Sequence, residues 1–205
     1  MEQIIKKSLD NSINYADYKR LMQKMVLDKF TTGNEISEAN INYTLLNERR
    51  MSRWDKKIII SEHEINKIKE FNTEVIWLVI SESWCGDAAH VLPVMNKVSE
   101  LNPNINLRIV LRDDNDDLMK LFLTNGSKSI PKLIMIDTEN LEVLDVYGPR
   151  PSIATKLVDD YKNEHGVLTP EFKEDLQRWY NKDKGKTTIK DLTELLAKYT
   201  PSFFL

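Results

Sequence analysis

One cysteine, Cys85, stands in a chain of 205 residues. A single thiol excludes an internal disulfide and with it any disulfide-stapled scaffold. It fits a reducing compartment, so a cytoplasmic location is expected. Glycine and proline are scarce, at 6 and 7 residues, which excludes collagenous and low-complexity chains. No stretch approaches the roughly 20 apolar residues of a membrane span. The segment Met1 to Lys7 lacks the apolar region of a secretory leader, and no membrane partner is expected. Charge of neither sign dominates: 29 lysines and arginines face 32 acids, for a net charge of −3. With no concentrated basic stripe in the sequence, no nucleic-acid partner is expected. Internal repeats are missing as well.

What is present is ordinary for a globular protein, with 41% hydrophobic and 30% charged residues. The length suits one domain with additions and a sizeable core. Val75-Ile-Trp-Leu-Val-Ile80 is a continuous apolar run that reads as a fully buried strand. After it, Ala88, Val91, Leu92, Met95 and Val98 recur at helical spacing. Cys85 lies between the two, at a helix N-terminus, where free N–H groups and the helix dipole favour a thiolate. Upstream, Tyr15 to Val26 and Ser37 to Arg53 read as helices separated by Thr31-Thr-Gly33-Asn. A short strand is expected at Lys57–Ile60, followed by a helix that Ser61 caps in a capping box with Glu64. Further along come a strand over 104–111, a helix over 114–123, and a hairpin of Lys132–Asp137 with Val143–Tyr147. A helix over 152–163 follows. Thr169-Pro170-Glu171 starts another, and a last one spans Thr188 to Lys198.

Several of these features resemble the thioredoxin family. Trp84-Cys85-Gly86 matches the start of that family's Trp-Cys-Gly-Pro-Cys motif, and Pro93 stands where its active-site helix is kinked. Gly126-Ser-Lys-Ser-Ile130-Pro131 looks like the segment that carries the family's cis-proline, and Gly148 follows the last strand as it does there. With Cys-Gly-Asp-Ala and the turn Gly148-Pro149-Arg150-Pro151, the chain looks like a bacterial branch of thioredoxin-like proteins. The resemblance implies an α/β thioredoxin-like fold, a mixed sheet flanked by helices, over residues 56–163. Residues 1–55 then form an N-terminal helical extension, and 164–205 a C-terminal helical extension packed on the core. Three departures matter. Ala88 replaces the second cysteine, Asp87 replaces the proline, and Val79 stands where the family buries an acid.

For Cys85 a buried, merely apolar role competes with a reactive or partner-binding one. Its place at the opening of a helix, facing a loop edge, favours the latter. Asp87 opposes a thiolate, whereas Arg150 is the best candidate cation; it is expected within electrostatic reach of Cys85 and in favour of its thiolate, with pairing to Asp87, binding of a substrate carboxylate such as that of glutathione, or a solvated loop position as its alternatives. The thiol environment is therefore Trp84, Gly86, Asp87 and Arg150. By resemblance, Trp84, Ile130, Pro131 and Gly148 bind substrate, with Ile130 and Trp84 as the apolar rim for an extended peptide. His90 tempts as a base but lies about 140° round the helix from Cys85, so packing on the flank or bonding to Asp87 is expected. His63 and His165 have no ligand-like partners, and Asp113 to Asp117 reads as a loop and capping cluster, so no metal is expected. No cofactor is called for. The function implied is monothiol exchange, in which Cys85 attacks a disulfide of a protein or of a glutathione-like small thiol and a second thiol resolves the product in trans. The alternative is a thioredoxin-fold binding module without redox turnover. Thiol peroxidase activity is a third reading, which the surroundings of Cys85 disfavour.

Overall fold

The computed structural model describes residues 1–200; residues 201–205 of the expected C-terminal extension lie outside them. In chain order the elements are α1 (Glu2–Asp10), α2 (Tyr15–Leu27), α3 (Glu38–Lys57), α4 (Glu62–Glu70), β1 (Val75–Ser81), α5 (Gly86–Ser99) and β2 (Ile105–Leu111). Then come α6 (Asp116–Leu121), β3 (Lys132–Asp137), β4 (Val143–Tyr147), α7 (Ser152–His165), α8 (Pro170–Asp183) and α9 (Lys186–Ala197). The sheet order is β2-β1-β3-β4. β1 pairs parallel with β2 and antiparallel with β3, and β3 pairs antiparallel with β4. This is the mixed α/β architecture that the resemblance implies.

The apolar run of β1 explains its central place. Trp77, Leu78, Val79 and Ile80 have no measurable exposure, so both faces of the strand are covered. Val79, the position of the missing acid, is thus plain core. The hairpin of β3 and β4 matches the expected bounds. Ser61 caps α4 through its hydroxyl, which accepts from the Glu64 amide.

Lys57–Ile60 does not form the expected strand. Helix α3 runs on to Lys57, and the Ile58 amide closes its last turn onto the Trp54 carbonyl. The free edge of β2 is met instead by Ile13, whose N–H and C=O both bond to Ile109 at 2.9 and 2.8 Å. The segment between α1 and α2 therefore occupies that edge, and residues 58–60 form no strand. Helix α3 also crosses the expected core start at Lys56.

The helices that precede and follow the central sheet are packed onto the core. Tyr18 and Met22 of α2 and Met51 and Trp54 of α3 are buried, as are Leu176 and Tyr180 of α8 and Leu192 and Leu196 of α9. Helix α3 lies along α5, and α9 packs against α4, α5 and α7. Pro151 precedes α7 and has no side chain that caps it. Asp191 of α9 does so from a distance, accepting from the Ser152 amide and hydroxyl, each at 2.7 Å. Replacing Asp191 with alanine is expected to lower stability by about 1–2 kcal/mol, the usual loss for a helix cap. A denaturant titration that shows no shift in midpoint would contradict this role.

Candidate functional site

The strand β1 delivers Glu82-Ser-Trp-Cys85 to the mouth of α5. Cys85 is the N-cap of that helix, and its Sγ accepts from the Ala88 amide at 3.5 Å. The thiol lies 3.3 Å from the Ile130 carbonyl oxygen, to which it donates. The next peptide bond, Ile130–Pro131, is cis. Trp84 is half-buried and carries the Arg112 guanidinium over its ring at 4.8 Å. Cys85, Trp84, Ile130, Pro131 and Gly148 therefore meet at one place, although they come from three separate segments.

Gly148 closes this cluster by backbone approach. Its φ is +103°, and a Cβ built there would fall well inside contact distance of the Pro131 carbonyl oxygen. Backbone cannot retreat from that clash as a flexible side chain can. Gly148→Ala is expected to destabilise the fold by roughly 1–3 kcal/mol, from a disfavoured φ together with overpacking. An unchanged Tm in a thermal scan would refute it.

The thiol is not at an open edge. Cys85 is only 7% exposed, and burial pushes its pKa up to about 12, with the Asp87 charge as the second cause. The amides of Ala88 and Asp87 and the Arg150 guanidinium pull the other way, Arg150 least. The expectation of a loop-edge thiol favoured as thiolate is thus corrected. Helix-end electrostatics give about 0.3–1 kcal/mol, which is too little to offset desolvation of a buried anion. Arg150 is engaged elsewhere. It forms an ion pair with Asp87 at 2.8 Å in which the two side chains are 23% and 11% exposed. Asp87 also accepts from the Tyr180 hydroxyl at 2.9 Å. Even so, its carboxyl is raised above the ordinary range, because burial outweighs Arg150 and Tyr180.

His90 does not bond Asp87. Trp54 donates from Nε1 to His90 Nδ1 at 2.8 Å, and His90 Nε2 meets Gln177 Oε1 at 2.8 Å. An indole N–H can only donate, so Nδ1 accepts and Nε2 carries the proton that goes to Gln177. The imidazole is stacked on Tyr180, the ring planes nearly parallel and the centroids 4.3 Å apart. Burial, the largest cause, lowers its pKa to about 4. It is a neutral bracket between α3, α5 and α8, not a base for Cys85.

Four further residues belong to the site without having been legible as such. Tyr180 and Gln177 of α8 cover the mouth of α5. On α3, Asn47 donates to the Ser83 carbonyl at 2.9 Å, and Arg50 bonds Asn47 Oδ1 at 3.0 Å. Beside them the loop Thr31-Thr32 is tied to Ser83. The Ser83 hydroxyl lies 2.7 Å from that of Thr44 and 3.1 Å from that of Thr31, and the Thr32 amide donates to it at 3.0 Å. Glu82, 1% exposed, accepts from the Thr32 hydroxyl and from the Asp113 amide, and burial raises its pKa. Asp113 in turn binds Arg112 and the Asn34 amide, each at 2.8 Å. The polar stripe Thr44, Asn47 on one face of α3 was the available signal: polar residues among core positions imply partners of their own.

Comparison with known proteins agrees with this architecture. No curated protein matches. Two solved structures are similar, both with a TM-score of 0.59 and 17% identity. One is a protein of unknown function from Pseudomonas aeruginosa, with 75% of this chain and 85% of that one covered. The other is an HIV epitope-scaffold, with 91% and 99% covered. At that identity they speak for the fold alone. A family profile described as thioredoxin matches residues 33–162. It takes in α3 and the loop before it along with the strands and the Cys85 helix, and the chain belongs to the thioredoxin family.

Proposed function

We propose that this protein is a thioredoxin-fold binding module, in which the groove of Trp84, Ile130, Pro131 and Gly148 holds an extended segment of a partner protein. The observation that carries the reading is the resting state of the thiol: Cys85 is buried, its pKa is raised to about 12, and it donates to Ile130. Such a group is protonated at neutral pH and is a poor nucleophile. Trp84 and Gly148 are the half-buried members of this cluster, while Ile130 and Pro131 are buried and the Ile130 carbonyl accepts from Cys85, so β-type recognition of an extended chain requires the cover of the cluster to open.

A second reading, monothiol exchange, is favoured by the seat of Cys85 at a helix N-cap beside the groove. There a partner disulfide would be attacked by the Cys85 thiolate; the Cys85–partner sulfur bond forms as the partner's own S–S bond breaks. A thiol in trans must then release the product, since Ala88 offers none. Such chemistry requires movement of Tyr180, Asp87 and Arg150 away from the thiol. The partners of either reading are proteins, or for exchange glutathione-like thiols as well.

One experiment separates them. Partner capture from extract is compared for the wild type and Cys85→Ser, with and without dithiothreitol. Binding predicts equal capture that is indifferent to reductant. Capture that disappears in Cys85→Ser and is released by dithiothreitol would establish exchange instead.

A further inference from the structure

Helix α3 presents a stripe whose apolar half no part of the described fold covers and whose cationic half, held by Asn47, Asn181 and the Trp54 ring, meets no acid among the described residues. Tyr43, Leu46, Arg50 and Arg53 follow each other at i, i+3, i+7 and i+10, which places them on one face. Tyr43 and Leu46 are 49% and 41% exposed, large apolar groups left in water. The two arginines lack the acids that most half-buried cations have: Lys19 pairs with Asp55, Arg112 with Asp113 and Arg150 with Asp87, whereas Arg108 is likewise held by neutral oxygens alone, those of Ser12. Among the described residues neither Arg50 nor Arg53 has a carboxylate within ion-pair distance. Each bonds a neutral amide oxygen, that of Asn47 and that of Asn181. Arg50 is half-buried, and burial and the like charge of Arg53 both lower its pKa. A desolvated guanidinium facing another without an anion is an unfavourable arrangement that a bound carboxylate would relieve.

The place where that carboxylate fits is beside the thiol helix. A methyl group built on Gly86 would lie 3.7 Å from Arg50 Nη1 and 3.7 Å from Gln177 Nε2. The Gln177 oxygen is taken by His90, so its amide nitrogen is the end that faces Gly86. Two donors thus converge on one small volume, next to the residue that follows Cys85.

We propose that the α3 stripe Tyr43–Leu46–Arg50–Arg53 docks an acidic segment of the partner protein, with apolar residues on Tyr43 and Leu46 and a carboxylate between Arg50 and Gln177. This rests on the binding reading above and specifies its partner. The stripe is about 15 Å long at 1.5 Å per helical residue, the reach of roughly five extended residues. Charge complementarity identifies the ligand as anionic, and the apolar half of the stripe identifies it as polypeptide, because a free phosphate has nothing to place there.

The test uses a short labelled peptide of leucines followed by glutamates, and a twin with glutamine at each glutamate. Fluorescence anisotropy with the full chain should show the glutamate peptide binding more tightly. Arg50→Gln and Arg53→Gln should each weaken it roughly tenfold, about one charge-assisted hydrogen bond, and leave the twin unchanged. The Tm of Arg50→Gln should hold or rise, since a half-buried cation without an anion is removed; Arg53→Gln also gives up its bond to Asn181 and its place over Trp54, and is judged by the peptides alone. Equal affinity for both peptides overturns the proposal, and so does a preference that survives both substitutions. Full displacement by inorganic phosphate, or a Tm that falls in Arg50→Gln, overturns it as well. The groove reading is scored separately: Trp84→Ala should weaken both peptides, and if neither peptide binds the wild type, that reading fails too.

Discussion

Cys85 is expected to react with iodoacetamide at pH 7 roughly a thousandfold more slowly than an ordinary thiol, because the thiolate is the nucleophile. The size of the effect follows from a pKa raised from 9.0 to about 12, which removes about three powers of ten of thiolate. The causes predict how variants will behave. Burial is first and remains in any point variant at the mouth. Asp87 is second, so Asp87→Asn should accelerate alkylation wherever that carboxyl is ionised and the thiol is not, pH 7 included, and it also releases Arg150 from its pair. Arg150→Ala should slow it only slightly by its direct effect, for that cation contributes least to lowering the thiol. It also strands the Asp87 carboxylate, which then keeps only the Tyr180 hydroxyl and favours its neutral form. Urea should restore the rate of a free cysteine in all of them. Wild-type alkylation at the free-cysteine rate under native conditions would show the thiol to be open and would move the balance to monothiol exchange.

The fold was legible where physical signals are local. The run at 75–80, the helical spacing after Cys85, the Ser61 cap and the Thr169-Pro170 start each name an element from neighbouring residues, and each is found. The missing strand at 57–60 shows where such signals stop. Ile58-Ile-Ile60 has strand character, but the β2 edge is closer for Ile13, and Ile59 is left exposed. Choice between two segments for one edge depends on chain path, which residue type does not carry. The site divides in the same way. Cys85 was placed by the strand and helix on either side of it, Pro131 and Gly148 by the family resemblance, and their convergence follows from the sheet. The cover was not found, because Tyr180 and Gln177 come from some ninety residues downstream and only packing joins them to Asp87 and His90. Burial then reversed the electrostatic expectation at Cys85: a helix N-terminus raises the thiolate population only where water or a cation shares the task. Arg150 was the right cation to suspect, but it serves Asp87.

Acid should loosen this cover through His90. Its pKa in the fold is about 4 against 6.5 for an ordinary histidine, with burial the main cause and Arg50 and Arg53 adding to it. A depressed pKa means that the folded protein binds fewer protons than the unfolded chain between these values. The stabilising contribution is therefore complete above pH 6.5 and is lost as pH falls through 4. Its size is about 3 kcal/mol, taking 1.36 kcal/mol for each unit of pKa. Asp87 and Glu82 act in the opposite sense, since their raised pKa values stabilise the fold on acidification. Comparison with His90→Gln isolates the histidine, as both proteins share those carboxyls. Urea titrations from pH 7 to pH 4 should show the wild type losing about 3 kcal/mol more than the variant, whatever their stabilities at neutral pH. Parallel curves would mean that His90 is not held neutral by the fold. Geometry also says where the loosening starts. An imidazolium has no acceptor left for Trp54 Nε1, so the bracket between α3 and α5 breaks first and Tyr180 loses the neutral ring on which it stacks. Amide exchange near pH 4.5 should accordingly rise in α8 before it rises in β1, and Cys85 should become accessible to a pH-insensitive thiol probe such as a pyridyl disulfide over the same range. Exchange that rises in both elements together would place the weak point in the core and not at this bracket.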